Sequence, residues 1–397
     1  MKEKILGLPR NIFFLGLASL FNDFSSEMVF SVFPPFFTAV LKAGAKSLGL
    51  VDGIAEGLSN LFKIYSGNIS DRLQSRKPLV VFGYVLSVLT RPFYGLVSTV
   101  GGALGLRVLD RIGKGVRDAP RDAIISLSTP KAELGKSFGY HRAMDTIGSI
   151  LGPLAAYLIL RKFPLRFGAV FVTAFISGLL AILALFWISD VIVNVPARRT
   201  KIVDAYKGFS SRFKIFLLSI LVLSLGSLPI AVMLLKTQSI GLVIADVPLF
   251  YMIYNLPYAG FSVSAGKMSD RLGAATVILL GYLILVISYF FLWVSSSIWA
   301  LAGSFLFLGL FPALTDGVQR SLAAQLTAAE LRGEALGLLN AAVGIGALLA
   351  GIGGGYLWQA YSPAAAFMVA AVIVVIGLLL FVFSSAQSQH QPVPNST

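Results

Sequence analysis

The sequence predicts an all-α membrane protein: twelve transmembrane helices in two pseudo-symmetric six-helix halves, with both termini cytoplasmic. Three observations carry that expectation. Hydrophobic residues make up 56% of 397 positions and charged residues 13%, against about 45–50% and about 25% in soluble domains. Twelve apolar runs of spanning length follow one another, and the punctuation of the first six recurs in the last six. At about 21 residues per span, twelve spans use roughly 250 residues and leave no room for a large soluble catalytic domain.

The runs fall at 12–34, 47–69, 78–100, 102–122, 140–160 and 166–189. They resume at 214–236, 247–267, 274–295, 298–318, 335–357 and 363–384. The first begins like a signal-peptide core. It continues past Asp23 to Pro34 and Pro35 without a small-residue cleavage pattern, so it reads as a retained span. Residues 190–213 form the longest weakly hydrophobic stretch before the tail. They are expected to be a cytoplasmic linker between a 1–189 half and a 214–384 half. The tail, 385–397, is polar with nothing to bury, and is expected to be disordered.

Orientation follows from the basic residues. With the N-terminus inside, 24 of the 32 Lys and Arg fall in inner segments and six in outer loops, while Lys63 and Arg91 lie within spans. That bias places both ends in the cytoplasm of a cell (inner or plasma) membrane protein. It also accounts for the net charge of +14 without nucleic acid as a partner. Zero cysteines exclude thiolate catalysis, zinc–cysteine sites and iron–sulfur clusters. Two histidines argue against a histidine metal cage, so no cofactor is expected.

The repeat is specific. Gly67, Asp71 and Arg72 recur as Gly266, Asp270 and Arg271, each 199 residues on, and Gly139 and Gly148 recur as Gly337 and Gly346, 198 residues on. A duplicated six-span unit explains both offsets, and such halves are typical of secondary transporters. The Gly-x-x-x-Asp-Arg motif after spans 2 and 8 resembles the signature of the major facilitator superfamily, a likeness that covers the whole chain. The first copy is one residue longer than the usual form and lacks its second glycine; the second keeps Gly273 but lacks the trailing basic pair. The resemblance implies a gating role for these six residues, with Asp71 meeting span 11 near Gly333. Gly139, Gly148, Gly152 and Pro153 in span 5 resemble the superfamily's antiporter motif, which implies a helix bend at Gly148, Gly152 and Pro153. Arg111, Lys114, Gly115 and Arg117 resemble its span-4 arginine motif, whose arginine faces the central cavity.

Charges within spans mark the candidate site, because an ionisable group at the bilayer centre costs at least about 2.5–3.5 kcal/mol. Asp23 and Glu27 share a face of span 1. Burial and like-charge repulsion both favour the neutral form of a carboxyl, so the pair reads as a proton-coupling site or as half of an ion pair with a base on another helix. Asp52 is expected near the outer surface and solvated. Glu56 reads as a coupling group or an ion-pair partner of Lys63 or Arg91. On span 4, Arg107 and Arg111 are placed deepest, to tune Asp23 and Glu27 or to bind an anionic cargo; the alternative is that the span ends near Leu109. Pro120 is expected to mark a helix boundary. His141 is expected at a solvated interface, and Asp145 in a pair with Arg142 or a span-4 base. Spans 7–12 carry almost no buried charge and offer an aromatic row, Phe250, Tyr251, Tyr254, Tyr258 and Phe261.

The functional expectation is a monomeric secondary transporter, not an enzyme, that exports a small organic molecule through the lipid bilayer by alternating access. Protons at Asp23, Glu27, Glu56 and Asp145 would supply the coupling. The alternatives are an organic-anion importer or exchanger and, with less support, a metal-ion exporter or an integral-membrane enzyme. No G-x-x-x-x-G-K-[ST] sequence supports ATP-driven transport.

Overall fold

The computed structural model describes residues 4–73, 75–130, 133–190, 206, 208–328 and 331–386, without the side chains of 64, 65, 67–73 and 384–386. A two-residue hairpin, β1 (Lys4–Ile5) with β2 (Leu8–Pro9), precedes the helices. The first six helices are α1 (Arg10–Ala39), α2 (Ala45–Leu73), α3 (Lys77–Phe93), α4 (Val100–Ser128), α5 (Leu134–Lys162) and α6 (Phe167–Leu185). The next seven are α7 (Ser211–Leu225), α8 (Ile230–Ser239), α9 (Val247–Leu272), α10 (Ala274–Val294), α11 (Ile298–Gln325), α12 (Arg332–Ala360) and α13 (Pro363–Ala386). Most of the expected linker and the tail beyond residue 386 lie outside the described residues.

Local chemistry sets the helix ends. The hydroxyls of Thr99, Ser210 and Ser297 each accept a bond from a backbone N–H in the first turn of α4, α7 and α11, which satisfies one of the orphan donors there. The Asp190 carboxylate accepts from the backbone N–H of Arg76 and Lys77, both at 3.0 Å, where α3 begins. Gly273, at φ +86°, makes the turn between α9 and α10, a conformation that costs other residues more.

Among the described residues, nine helices are long and apolar enough to cross a membrane, α7 and α8 counting together. The exceptions are α2, α4 and α9, of 29, 29 and 26 residues. Each of them turns charged or phenolic side chains toward the central cavity. The seventh apolar run is expected as one helix, yet the chain breaks between α7 and α8 at Gly226–Pro229. Proline removes a donor and frees a carbonyl. Tyr289 repairs the gap: its hydroxyl donates to the Gly226 carbonyl and accepts from the Leu228 N–H, both at 2.8 Å. Pro120 is a correction in the other direction, since α4 runs through it to Ser128. The helix does not end near Leu109 either, because acids on α2 and α4 neutralise the bases that follow.

Packing repeats between the halves. α1 packs on α5 and α6, α2 on α4, and α3 on α4 and α6; correspondingly, α7 packs on α12 and α13, α9 on α11, and α10 on α11 and α13. Across the halves, α2 meets α12 and its counterpart α9 meets α5. Glycines let α2 and α12 touch backbone to backbone. A Cβ at Gly53 would lie 2.9 Å from the Leu348 carbonyl, and one at Gly57 would lie 3.2 Å from that of Gly344. Thr38 also accompanies this closure, bonding Gln238 at 2.9 Å. We expect Gly53→Leu to hold that end open. Because the chain has no cysteine, maleimide labelling of a single Ser227→Cys reporter, applied from the side of the 40–44 turn, should rise severalfold. Unchanged labelling would mean that the glycine seam does not close this end.

Candidate functional site in a charged central cavity

A cavity of about 370 Å³ lies between the halves. Its charged lining is Asp23 and Glu27 from α1, Asp52 and Glu56 from α2, Arg111 and Lys114 from α4, and Arg142 and Asp145 from α5. The opposite wall is α9, through Tyr251, Tyr254, Asn255 and Tyr258. Spacing explains why these side chains converge. Acids four apart on α2 meet arginines four apart on α4: Arg107 bonds Asp52 at 2.9 Å and the Arg111 Nε lies 3.0 Å from Glu56. The two helices run parallel here, so one register serves both pairs.

These contacts correct several expectations. Asp52 is 3% exposed, not solvated, because Arg107, 2% exposed, neutralises it. The Arg107 guanidinium also lies over the Phe30 ring at 4.4 Å, a favourable placement for a desolvated cation. Arg107 is therefore committed to α2 and does not line the cavity. Glu56 pairs with Arg111, and Lys63 instead lies 4.0 Å from Asp118. His141 is 4% exposed and approaches Asp145 at 3.5 Å, while Ser19 donates to the other oxygen of Asp145. Asp145 thus meets neither Arg142 nor a span-4 base in an ion pair.

Asp23 and Glu27 differ from the rest. Among the described residues, neither has a cation within ion-pair distance. Asp23 accepts from the Asn22 amide at 3.1 Å. Glu27 accepts from the Tyr251 hydroxyl of α9, a bond that joins the two halves across the cavity. Gly148 and Gly152 place these acids: a Cβ at Gly148 would lie 2.5 Å from the Leu20 carbonyl and 3.1 Å from the Asp23 Cβ, and Gly152 sits against the Phe24 carbonyl. Their observed contribution is close approach of α5 to α1, with Pro153 inside a continuous helix.

The gating candidates are separate. Gly67, Asp71 and Arg72 end α2, but their side chains lie outside the described residues. Gly266, Asp270 and Arg271 are exposed, and Gly266 and Asp270 line a second cavity of about 390 Å³ that shares Arg142 and Tyr258 with the first. Of the aromatic row, Phe250 packs on Phe305 and Phe261 is exposed, so the three tyrosines alone face the site. Sequence reasoning misplaced Asp52, gave Lys114 no place in the cavity, and missed the bond from Tyr251 to Glu27. Only the first carried a usable signal, the matched spacing of 52/56 with 107/111.

Comparisons with known proteins agree with this architecture. The family model of the Major Facilitator Superfamily matches residues 15–238 and 215–397. An MFS-type transporter of Methanocaldococcus jannaschii, MJ1317, is 34% identical over 385 residues, 95% of each chain. The multidrug resistance protein MdtH of Photorhabdus laumondii is 23% identical over 361 residues, 87% of this chain and 86% of its own. Among solved structures, the nucleoside transporter NupG (D323A mutant) superposes with a TM-score of 0.82 at 15% identity, covering 94% of this chain and 99% of its own; that likeness shows the fold. With both halves matched and a relative 34% identical over 95% of both chains, the chain belongs to the Major Facilitator Superfamily, as a multi-pass membrane transporter of small molecules.

Proposed function

We propose that this protein is a proton-coupled secondary transporter of the cell membrane that exports a small organic molecule by alternating access, working as a monomer. The observation that carries this reading is the pair Asp23 and Glu27: both line the central cavity, neither has a cation within ion-pair distance among the described residues, and Glu27 bonds Tyr251 of the other half. Glu27 accepts that bond through one side-chain oxygen. A proton on Glu27 changes its hydrogen-bonding capacity, and therefore the contact between the halves. Asp145 and Glu56, each already paired, would sense that change rather than carry the proton. The name of the multidrug resistance relative supports an export direction. A second reading, transport of an organic anion, is favoured by Lys114 and Arg142, which line the same cavity with no carboxylate within 4 Å among the described residues. The repeated motifs around Asp71 and Asp270 are proposed to gate the inner end. A thermal-shift screen of the purified protein against metabolites and drugs tests the reading, since a ligand that binds only the native state raises its stability. Stabilisation by organic cations or neutral amphiphiles supports export of such compounds; stabilisation confined to organic anions favours the second reading.

Topology is proposed as twelve spans with both termini and the 190–213 linker inside. A reporter fused after Thr397 or inserted near Pro196 should be cytoplasmic, and one near Ala43 external. Finding Thr397 and Ala43 on the same side would contradict twelve spans.

A further inference from the structure

We infer that Arg91 is the counter-charge of Asp23, acting through the Asn22 amide, and so is a positioning residue for the coupling site. Arg91 sits on α3, outside the cavity lining, and is 1% exposed. A guanidinium so buried needs compensation, yet no carboxylate lies within 4 Å of it among the described residues. Its partners are neutral: it donates to the Asn22 Oδ1 at 2.7 Å and to the Ser25 hydroxyl, which in turn donates to the Ala174 carbonyl. Asn22 is itself fully buried, and its Nδ2 donates to Asp23 at 3.1 Å.

The chemistry of the two ends fixes the direction of this relay. A guanidinium has donors only and a carboxylate acceptors only. An amide between them therefore has one satisfied orientation, oxygen toward Arg91 and NH₂ toward Asp23. Arg91 locks that orientation, and its charge polarises the amide so that the Asp23 carboxylate receives a strengthened donor. This arrangement balances a buried base against an acid while Asp23 lines the cavity with no cation in direct contact among the described residues. The competing acid for Arg91 is Asp110 on α4, but it already faces Arg107 at 3.7 Å and Arg111 at 4.0 Å.

The test is a double-mutant cycle on thermal stability in detergent, which needs neither cargo nor gradient and so stands or falls separately from the coupled-transport reading. Arg91→Gln removes the lock and should lower the apparent Tm by about 6 °C or more. Adding Asp23→Asn, which accepts either orientation of the Asn22 amide, should restore at least half of that loss. Adding Asp110→Asn should restore none. Arg91→Lys, still a pure donor but with one nitrogen in place of the fork, should fall between wild type and Arg91→Gln. If Arg91→Gln alone does not fold, recovery of folded protein in Arg91→Gln/Asp23→Asn reads the same result. Additive losses for Arg91 and Asp23, rescue by Asp110→Asn, or no recovery of folded protein would overturn the assignment.

Discussion

Arg107→Leu is expected to destabilise the protein by about 3–5 kcal/mol, the cost of stranding a buried charge. Asp52 is 3% exposed and bonds Arg107 at 2.9 Å, so no water replaces the lost partner. The leucine also forfeits the stacking of the guanidinium over Phe30 and Phe33, at 4.4 and 5.3 Å. The double variant Arg107→Leu/Asp52→Leu should recover much of the loss, because an apolar pair of similar volume escapes the desolvation cost of both ions. Arg111→Leu should be milder, since the Glu56 side chain is 36% exposed and water can take the place of its partner. Thermal unfolding in detergent orders the three variants. Equal losses for Arg107→Leu and Arg111→Leu would mean that burial does not set the strength of these pairs.

Glu27→Gln should behave differently, abolishing gradient-driven transport while costing only about 1 kcal/mol of stability, an ordinary single-substitution effect. Asp23→Asn should also abolish it, at a larger cost, because it removes the acid that balances Arg91. Among the described residues Glu27 has no cation within ion-pair distance, so neutralising it strands no base. In Glu27→Gln the side-chain amide oxygen still accepts from Tyr251, which preserves the contact between halves but removes the titrating group. Exchange of labelled for unlabelled cargo without a gradient should therefore survive. The two acids were indistinguishable from ion-pair partners in the sequence; the geometry separates them, because the arginines are already taken by Asp52 and Glu56.

That distinction marks how far the sequence could be read. Spans, the repeat and the family were legible because hydrophobic runs and the displaced Gly-x-x-x-Asp-Arg motifs are local patterns. The convergence of charges on spans 1, 2, 4 and 5 was legible too, since ionisable groups in apolar runs need an interior. Partner choice was not, because it depends on helix register. Asp52 looked like a surface residue by its place near the start of a span, and became a core residue only when α4 set Arg107 beside it. Pro120 and His141 misled for the same reason: propensity and residue type suggested a boundary and a wet interface, whereas tertiary packing overrode the first and Asp145 satisfied the second. The α7–α8 break was foreshadowed by Gly226 and Pro229, but its repair by Tyr289, more than sixty residues away along the chain, was beyond any local signal.

The central claim is that protons on Asp23 and Glu27 drive movement of cargo through this cavity. Its most direct test uses proteoliposomes with an acidic lumen and the compound that most raises the Tm in the screen. Wild-type protein should accumulate that compound inside above its outside concentration, and collapsing the pH gradient should release it. The Asp23→Asn/Glu27→Gln variant, folded and still able to exchange, should only equilibrate it. Accumulation by the double variant to the wild-type level would contradict the account.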